Sequence, residues 1–313
     1  MQEANPVGRW HSAAPRWIFI FLGAYLTVRL LATYLWSAAG QNLGIQCAPD
    51  STAAMPVTAM AGVGLWLCLA VLRGFPAGAP LRPVWLLITL AAAAQAVSGV
   101  VAVFLGSEWL LNPRVWAGYG QPGLTGHIRL AALIAAGPIR LVILAAAVPV
   151  VLRVLGRFGF WGRPNATEWA AGAVFCLFAL RRFAEAVAAL HAGRSIGVED
   201  WSSLAGLPLL CVLFIEAIWL RQAVVCMGHG SVAKCWNALV WGVILTASAE
   251  LALWLIPHYS GAPLAIFESC ARLLTAGVFT LAPAYQLSAQ RLATKSAPAV
   301  SEDLVTALPA VAR

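Results

Sequence analysis

Charge is what this chain has least of. Only 10% of its 313 residues are Asp, Glu, Lys or Arg, against about 25% in soluble domains. Lysine occurs only at 234 and 295, and aspartate only at 50, 200 and 303. A Schiff-base lysine inside an apolar bundle is thereby excluded. Histidine is also scarce: none of the five falls in the middle of an apolar run, which argues against a haem held between two buried imidazoles. Gly-rich phosphate loops, an HExxH helix, a GxSxG turn and the paired-glutamate pattern of intramembrane metalloproteases are all missing. No catalytic residue and no cofactor is indicated, and no motif is specific enough to name a family.

What is present is apolar: 61% of the residues, with a mean hydropathy of +0.81. Nearly uncharged runs recur over 17–38, 57–74, 82–106, 128–152, 166–192, 201–222, 235–257 and 262–288. Each is near or above the ~20 residues that a ~30 Å hydrocarbon layer requires of a helix. The fold class expected is an all-α, polytopic membrane bundle of about eight helices. The run from Trp17 is longer than the ~7–15-residue core of a cleaved signal and holds Arg29 at its centre, so it is expected to stay as the first helix.

The net charge of +8 follows from topology and does not call for a nucleic-acid partner. Arg9, Arg16, Arg73, Arg82, Arg153, Arg157, Arg163, Arg221, Lys234, Arg291, Lys295 and Arg313 fall on one side of the proposed spans, and Arg114, Arg129 and Arg194 on the other. Lys and Arg accumulate in cytoplasmic loops, so both termini are expected inside, in a plasma membrane of bacterial type. Four segments result: a cytoplasmic stretch 1–16, a first four-helix half 17–157, a second 158–290, and a tail 291–313 expected to be disordered.

The halves carry matching landmarks. Arg29 precedes Gly40 by the interval at which Arg182 precedes Gly193, Ala61-Gly62 with Cys68 resembles Ala205-Gly206 with Cys211, Gln95 aligns with Glu250, and Arg140 with Arg272. A four-plus-four parallel repeat explains these matches; compositional similarity between Ala- and Leu-rich helices is the alternative. At the start of the fifth run, Asn165 followed three residues on by Glu168 has the pattern of a capping box.

Nine ionisable residues sit within the runs: Arg29, Arg140, Arg181, Arg182 and Arg272 against Glu185, Glu216, Glu250 and Glu268. Each costs about 2.5–3.5 kcal/mol to insert, so such residues face a bundle interior and find partners. Arg181 and Arg182 pair with Glu185, and Glu268 with Arg272, at helical spacing. Glu250 has no basic residue within a turn, so it needs an arginine from another helix, a polar lining or a proton. Two uses of this set stay open. It can hold an anionic solute or lipid headgroup in a transporter or lipid-handling protein, with Glu250 as a proton-coupled group. Alternatively it can fix helix packing in a non-catalytic sensor or a structural subunit that docks other membrane proteins. His127, His191 and His258, near the outer span ends with Glu108, Glu199 and Asp200, form a weaker candidate metal set, and Cys226, His229 and Cys235 a weaker one still.

Overall fold

A computed structural model describes residues 13–28, 50–104, 135–192, 198–255 and 262–307. Among these residues there are helices and turns and no strand. Helix α1 is Ala13–Val28. It is followed by α2 (Asp50–Arg73), α3 (Arg82–Phe104), a π turn at Ala135–Ile139 leading into α4 (Arg140–Arg157), α5 (Ala166–His191), α6 (Val198–Met227), α7 (Ser231–Leu255) and α8 (Ala262–Ala307).

Five of these helices, α2, α3, α4, α6 and α7, are long and apolar enough to cross a membrane. Helix α5 has the length, at 26 residues, but Glu168, Arg181, Arg182 and Glu185 interrupt its apolar run. The described part of α1 ends at Val28, short of a full span. After Arg291, where the sequence suggested a structureless tail, α8 stays helical to Ala307. Leu292, Ala293, Ala297 and Ala299 carry high helix propensity there, and the scattered Ser and Pro do not end the helix.

Six helices close a ring in which each packs on two neighbours: α2 on α3, α3 on α4, α4 on α6, α6 on α7, α7 on α8, and α8 back on α2. Helix α5 lies outside this ring against α6. Helix α1 also lies outside, with Leu22 seated where Gly277 of α8 leaves space. Leu67, Val71, Val84, Trp85, Trp236 and Leu273 form the centre of the largest apolar core. The outward faces are apolar too: Ile20, Trp66, Leu177 and Leu180 are all more than half exposed. In water such a surface would be an association liability. Around a bilayer span it is what the lipid chains require.

The short turns collect at one end of the bundle. Gln290 on α8 donates to the Val71 carbonyl near the end of α2 at 3.2 Å. Trp85 near the start of α3 meets Trp236 near the start of α7, with ring centroids 6.1 Å apart. The start of α5 meets the end of α6 through Glu168 and Arg221. Gly159 and Gly228, at φ of 80° and 73°, turn the chain after α4 and α6 in a conformation open mainly to glycine. Arg73, Arg82, Arg157, Arg163, Arg221 and Lys234 all lie in or beside these turns.

The capping box forms as the spacing suggests. The Glu168 backbone N–H donates to Asn165 Oδ1 at 2.8 Å, and the Asn165 N–H donates to Glu168 Oε2 at 2.9 Å. Its Glu does more than cap. Buried at 6% exposure, the Glu168 carboxylate also accepts from Gln222 Nε2 at 2.5 Å and from Arg221 Nη1, locking α5 to α6.

Candidate functional site

A cavity lies among the ring helices beside the start of α4. Pro138 lies in the π turn Ala135–Ile139 and has no N–H to give to a regular helical ladder. Such wide turns inside helices recur at functional sites. Arg140 follows directly, and its Nη1 donates to Gln95 Oε1 of α3 at 2.6 Å. Both side chains line a cavity of about 60 Å³ that also touches α2, α7 and α8. By the same measure about 10–15 Å³ holds one water, so the space admits several waters or a small group.

Small residues create the cavity. Ala61 and Gly64 of α2, Ala91 and Ala92 of α3 and Ala276 of α8 line it, where larger side chains would fill it. Cys68, Ile88, Leu144, Leu239, Phe279 and Thr280 complete the wall. Thr280 holds its hydroxyl against α8, donating to the Ala276 carbonyl at 2.7 Å, with the Met60 carbonyl of α2 at 3.3 Å. A guanidinium stays charged at any physiological pH and presents its donors in a planar fork. Gln95 is a neutral acceptor that orients one end of the Arg140 fork. The result is a largely apolar cavity with one arginine in its wall.

The expected nine-residue network does not converge at one point among the described residues. Arg181 Nε lies 3.0 Å from Glu185 and Arg182 Nη1 3.5 Å from it, as their spacing implies. This trio is 40–67% exposed. Helix α5 runs antiparallel to α6, with Gly172 beside Ile218 and the Phe175 and Phe214 rings 4.9 Å apart. That register carries Arg182 toward the first turns of the α6 apolar segment, which begins at Ala205. The trio is therefore near one end of the α6 span, at the level where Gly206 of α6 meets Leu141 of α4. Glu216 lies midway along the same α6 segment, and its Oε2 is buried without a hydrogen-bond partner among the described residues. Arg272 is exposed on α8. Glu250 and Glu268 lie on the helical backbone of α7 and α8, and their side chains, like Arg29, His127 and His258, fall outside the described residues. His191 is exposed on the last turn of α5.

Among the described residues no three of His, Cys, Asp and Glu come together as a metal set. Cys226 is exposed on the last turn of α6, whereas Cys235 is fully buried on α7. One helical turn past the α6–α7 connection aims the second thiol into the core, so the C-x2-H-x5-C run does not close on an ion.

On the sequence alone Arg140 is one charge in an apolar run and Gln95 only the counterpart of Glu250. The polar residues Gln95 and Thr280 carry no charge to mark them, and they reach the cavity only through helix packing. Arg221 looked like an ordinary inner-loop cation. The signal for its partner was the capping glutamate, which an antiparallel neighbour brings within reach. The chain matches no protein-family model, no curated protein and no solved structure.

Proposed function

We propose that this is an integral membrane protein of transporter type that binds an anionic group, from a solute or a lipid, at Arg140. The observation that carries this reading is the Arg140–Gln95 hydrogen bond at the wall of a cavity between the helices. Inserting a guanidinium among apolar helices is unfavourable, and a bundle that needed only packing would close its core around apolar side chains. Here five small residues keep space open beside the charge. The Arg140 guanidinium gives that space a positively charged wall, which favours an anionic guest.

In the same reading the arginine-rich end of the bundle faces the cytoplasm, both termini are inside, and the membrane is of the bacterial plasma type. The parallel four-plus-four repeat belongs to the same reading, and the ring is compatible with it. Exchanging α2 with α6, α3 with α7 and α4 with α8 turns the ring of packed pairs into itself. The outer helices depart from this pattern, since α1 seats Leu22 on α8 whereas α5 packs on α6. Under the repeat, Glu250 takes the place that Gln95 holds in the first half, and serves as the proton-coupled group.

Binding tests the reading. Ligand that binds the native state stabilises it by RT ln(1 + [L]/Kd). Carboxylate or phosphate anions, added to detergent-purified protein at constant ionic strength, are expected to raise its melting temperature, and Arg140→Gln to remove the rise. Equal responses in the two proteins would favour the structural-subunit alternative. In proteoliposomes Glu250→Gln is expected to remove the pH dependence of anion flux while anion binding persists. A flux whose pH dependence survives the change contradicts the coupling role.

A further inference from the structure

Cations without a counter-charge collect at one corner of the bundle. At the arginine-rich end, the turns and helix ends 68–88, 150–172, 218–240 and 282–292 contain a single carboxylate, Glu168. That carboxylate is buried and taken by Arg221. Arg153 and Arg157 of α4 and Arg163 of the α4–α5 turn are exposed and make no ion pair among the described residues. Spaced by four, Arg153 and Arg157 lie one turn apart on one helix face. Val142, Ala146 and Pro149 continue that face away from the turn and are exposed as well, so an outward apolar stripe ends in two cations.

Tryptophans stand beside these cations. Gly156 leaves room for the Trp161 ring, which a Cβ there would meet at 3.2 Å. The Trp161 ring centroid is 5.7 Å from that of Trp219 on α6, and Trp219 is 6.1 Å from Trp169 on α5. A Cβ on Gly162 would come 3.0 Å from Gln222, so the turn lies across the end of α6. Trp161 is 57% and Trp169 44% exposed, whereas Trp85 and Trp236, beside the other turns of this end, are fully buried. Exposed indoles favour the headgroup layer of a membrane, where one side of the ring is apolar and the other wet. Only the α4–α5 corner joins exposed tryptophans to unpaired arginines among the described residues.

We infer that this corner binds an anionic phospholipid. The phosphodiester meets Arg153, Arg157 and Arg163, the glycerol lies against Trp161, and an acyl chain follows Pro149, Ala146 and Val142 along α4. Guanidinium groups present paired donors that match phosphate oxygens. A zwitterionic lipid brings its own ammonium, which the three guanidinium groups repel, so the net charge of the headgroup decides. Ala146 and Pro149 have short side chains, which leave the stripe shallow where the chain lies. Seventeen residues of α4, roughly 25 Å of helix, separate Arg157 from Arg140. The inference therefore does not depend on the anion reading of Arg140.

The test is a titration of delipidated, detergent-purified protein with phosphatidylglycerol or phosphatidylcholine of equal chain length, with Kd for the first bound lipid read by native mass spectrometry. A cation close to an anionic headgroup is worth about fivefold in affinity, so phosphatidylglycerol is expected to bind more than about tenfold tighter than phosphatidylcholine. Arg153→Gln combined with Arg157→Gln is expected to remove most of that preference, and Trp161→Ala to weaken both lipids. Arg73→Gln combined with Lys234→Gln takes the same charge from other turns of the same end and is expected to leave the preference intact. Inorganic phosphate at constant ionic strength is expected not to displace the lipid. Equal affinities for the two lipids, or equal losses in the two double variants, would overturn the site. A preference that Arg140→Gln removes would belong to the cavity and would overturn it too. Displacement by inorganic phosphate would mean that the corner takes a free anion, and the lipid would be overturned. The four substituted cations are all exposed, and the wild-type comparison of the two lipids decides even if a variant fails to fold.

Discussion

Three ionisable residues with similar sequence context have different surroundings, and their substitutions should separate accordingly. Glu168 accepts hydrogen bonds from Asn165, Gln222 and Arg221. Glu168→Ala removes a helix cap and strands the partners. It is expected to destabilise by about 2–3 kcal/mol, below the ~3–5 kcal/mol of a fully buried pair because Arg221 is 47% exposed. Glu216 has a buried oxygen with no hydrogen-bond partner among the described residues, so Glu216→Leu is expected to leave the melting temperature unchanged or raise it. A loss as large as that of Glu168→Ala would mean that Glu216 is held by a group beyond the described residues. Arg140 differs from both in lining a cavity. Its importance was legible from the sequence as a charge in an apolar run. Its partner was not, because Gln95 lies 45 residues away and only the packing of α3 on α4 brings the two together.

Helices were the most legible elements, since a long apolar run has few other ways to satisfy its backbone inside a bilayer. The expected spans 82–106 and 166–192 nearly coincide with α3 and α5, Arg82–Phe104 and Ala166–His191. Ends defined by charge were less legible. Helix α6 continues past Arg221 to Met227, and α7 begins before Lys234, at Ser231, because a helix continues through long cationic side chains that reach the interface. Pro56 likewise hid the first turn of α2, which starts at Asp50. Helix contacts were not legible at all. In membranes they depend on small residues that let backbones approach, and this chain has alanine and glycine on every face. The approach of α7 to α8 shows the point. Gly242→Ala would place a Cβ 2.9 Å from the Phe279 ring and is expected to destabilise by about 1–3 kcal/mol. A thermal melt in mild detergent would register that change, and an unaltered melt would mean that Phe279 moves aside freely.

At the scale of the molecule, an all-helical apolar bundle was legible in the sequence, and the described residues form one. The ring of six helices was beyond it, and so was the cavity, because a void is made by what several helices omit together. Orientation is open to a simple check. Cys226 is exposed at the arginine-rich end and Cys235 is fully buried there, so a thiol reagent is expected to reach Cys226 only from the cytoplasmic side and to spare Cys235 from either side. Labelling of Cys226 from outside intact cells would invert the topology. The central claim, an interior site that holds an anion on Arg140, is tested most directly by native mass spectrometry of the protein released from its own membrane. The wild type should carry a bound acidic molecule that Arg140→Gln lacks when both are folded and equally abundant. A wild type that emerges bare, or a variant that keeps the same bound mass, would contradict it.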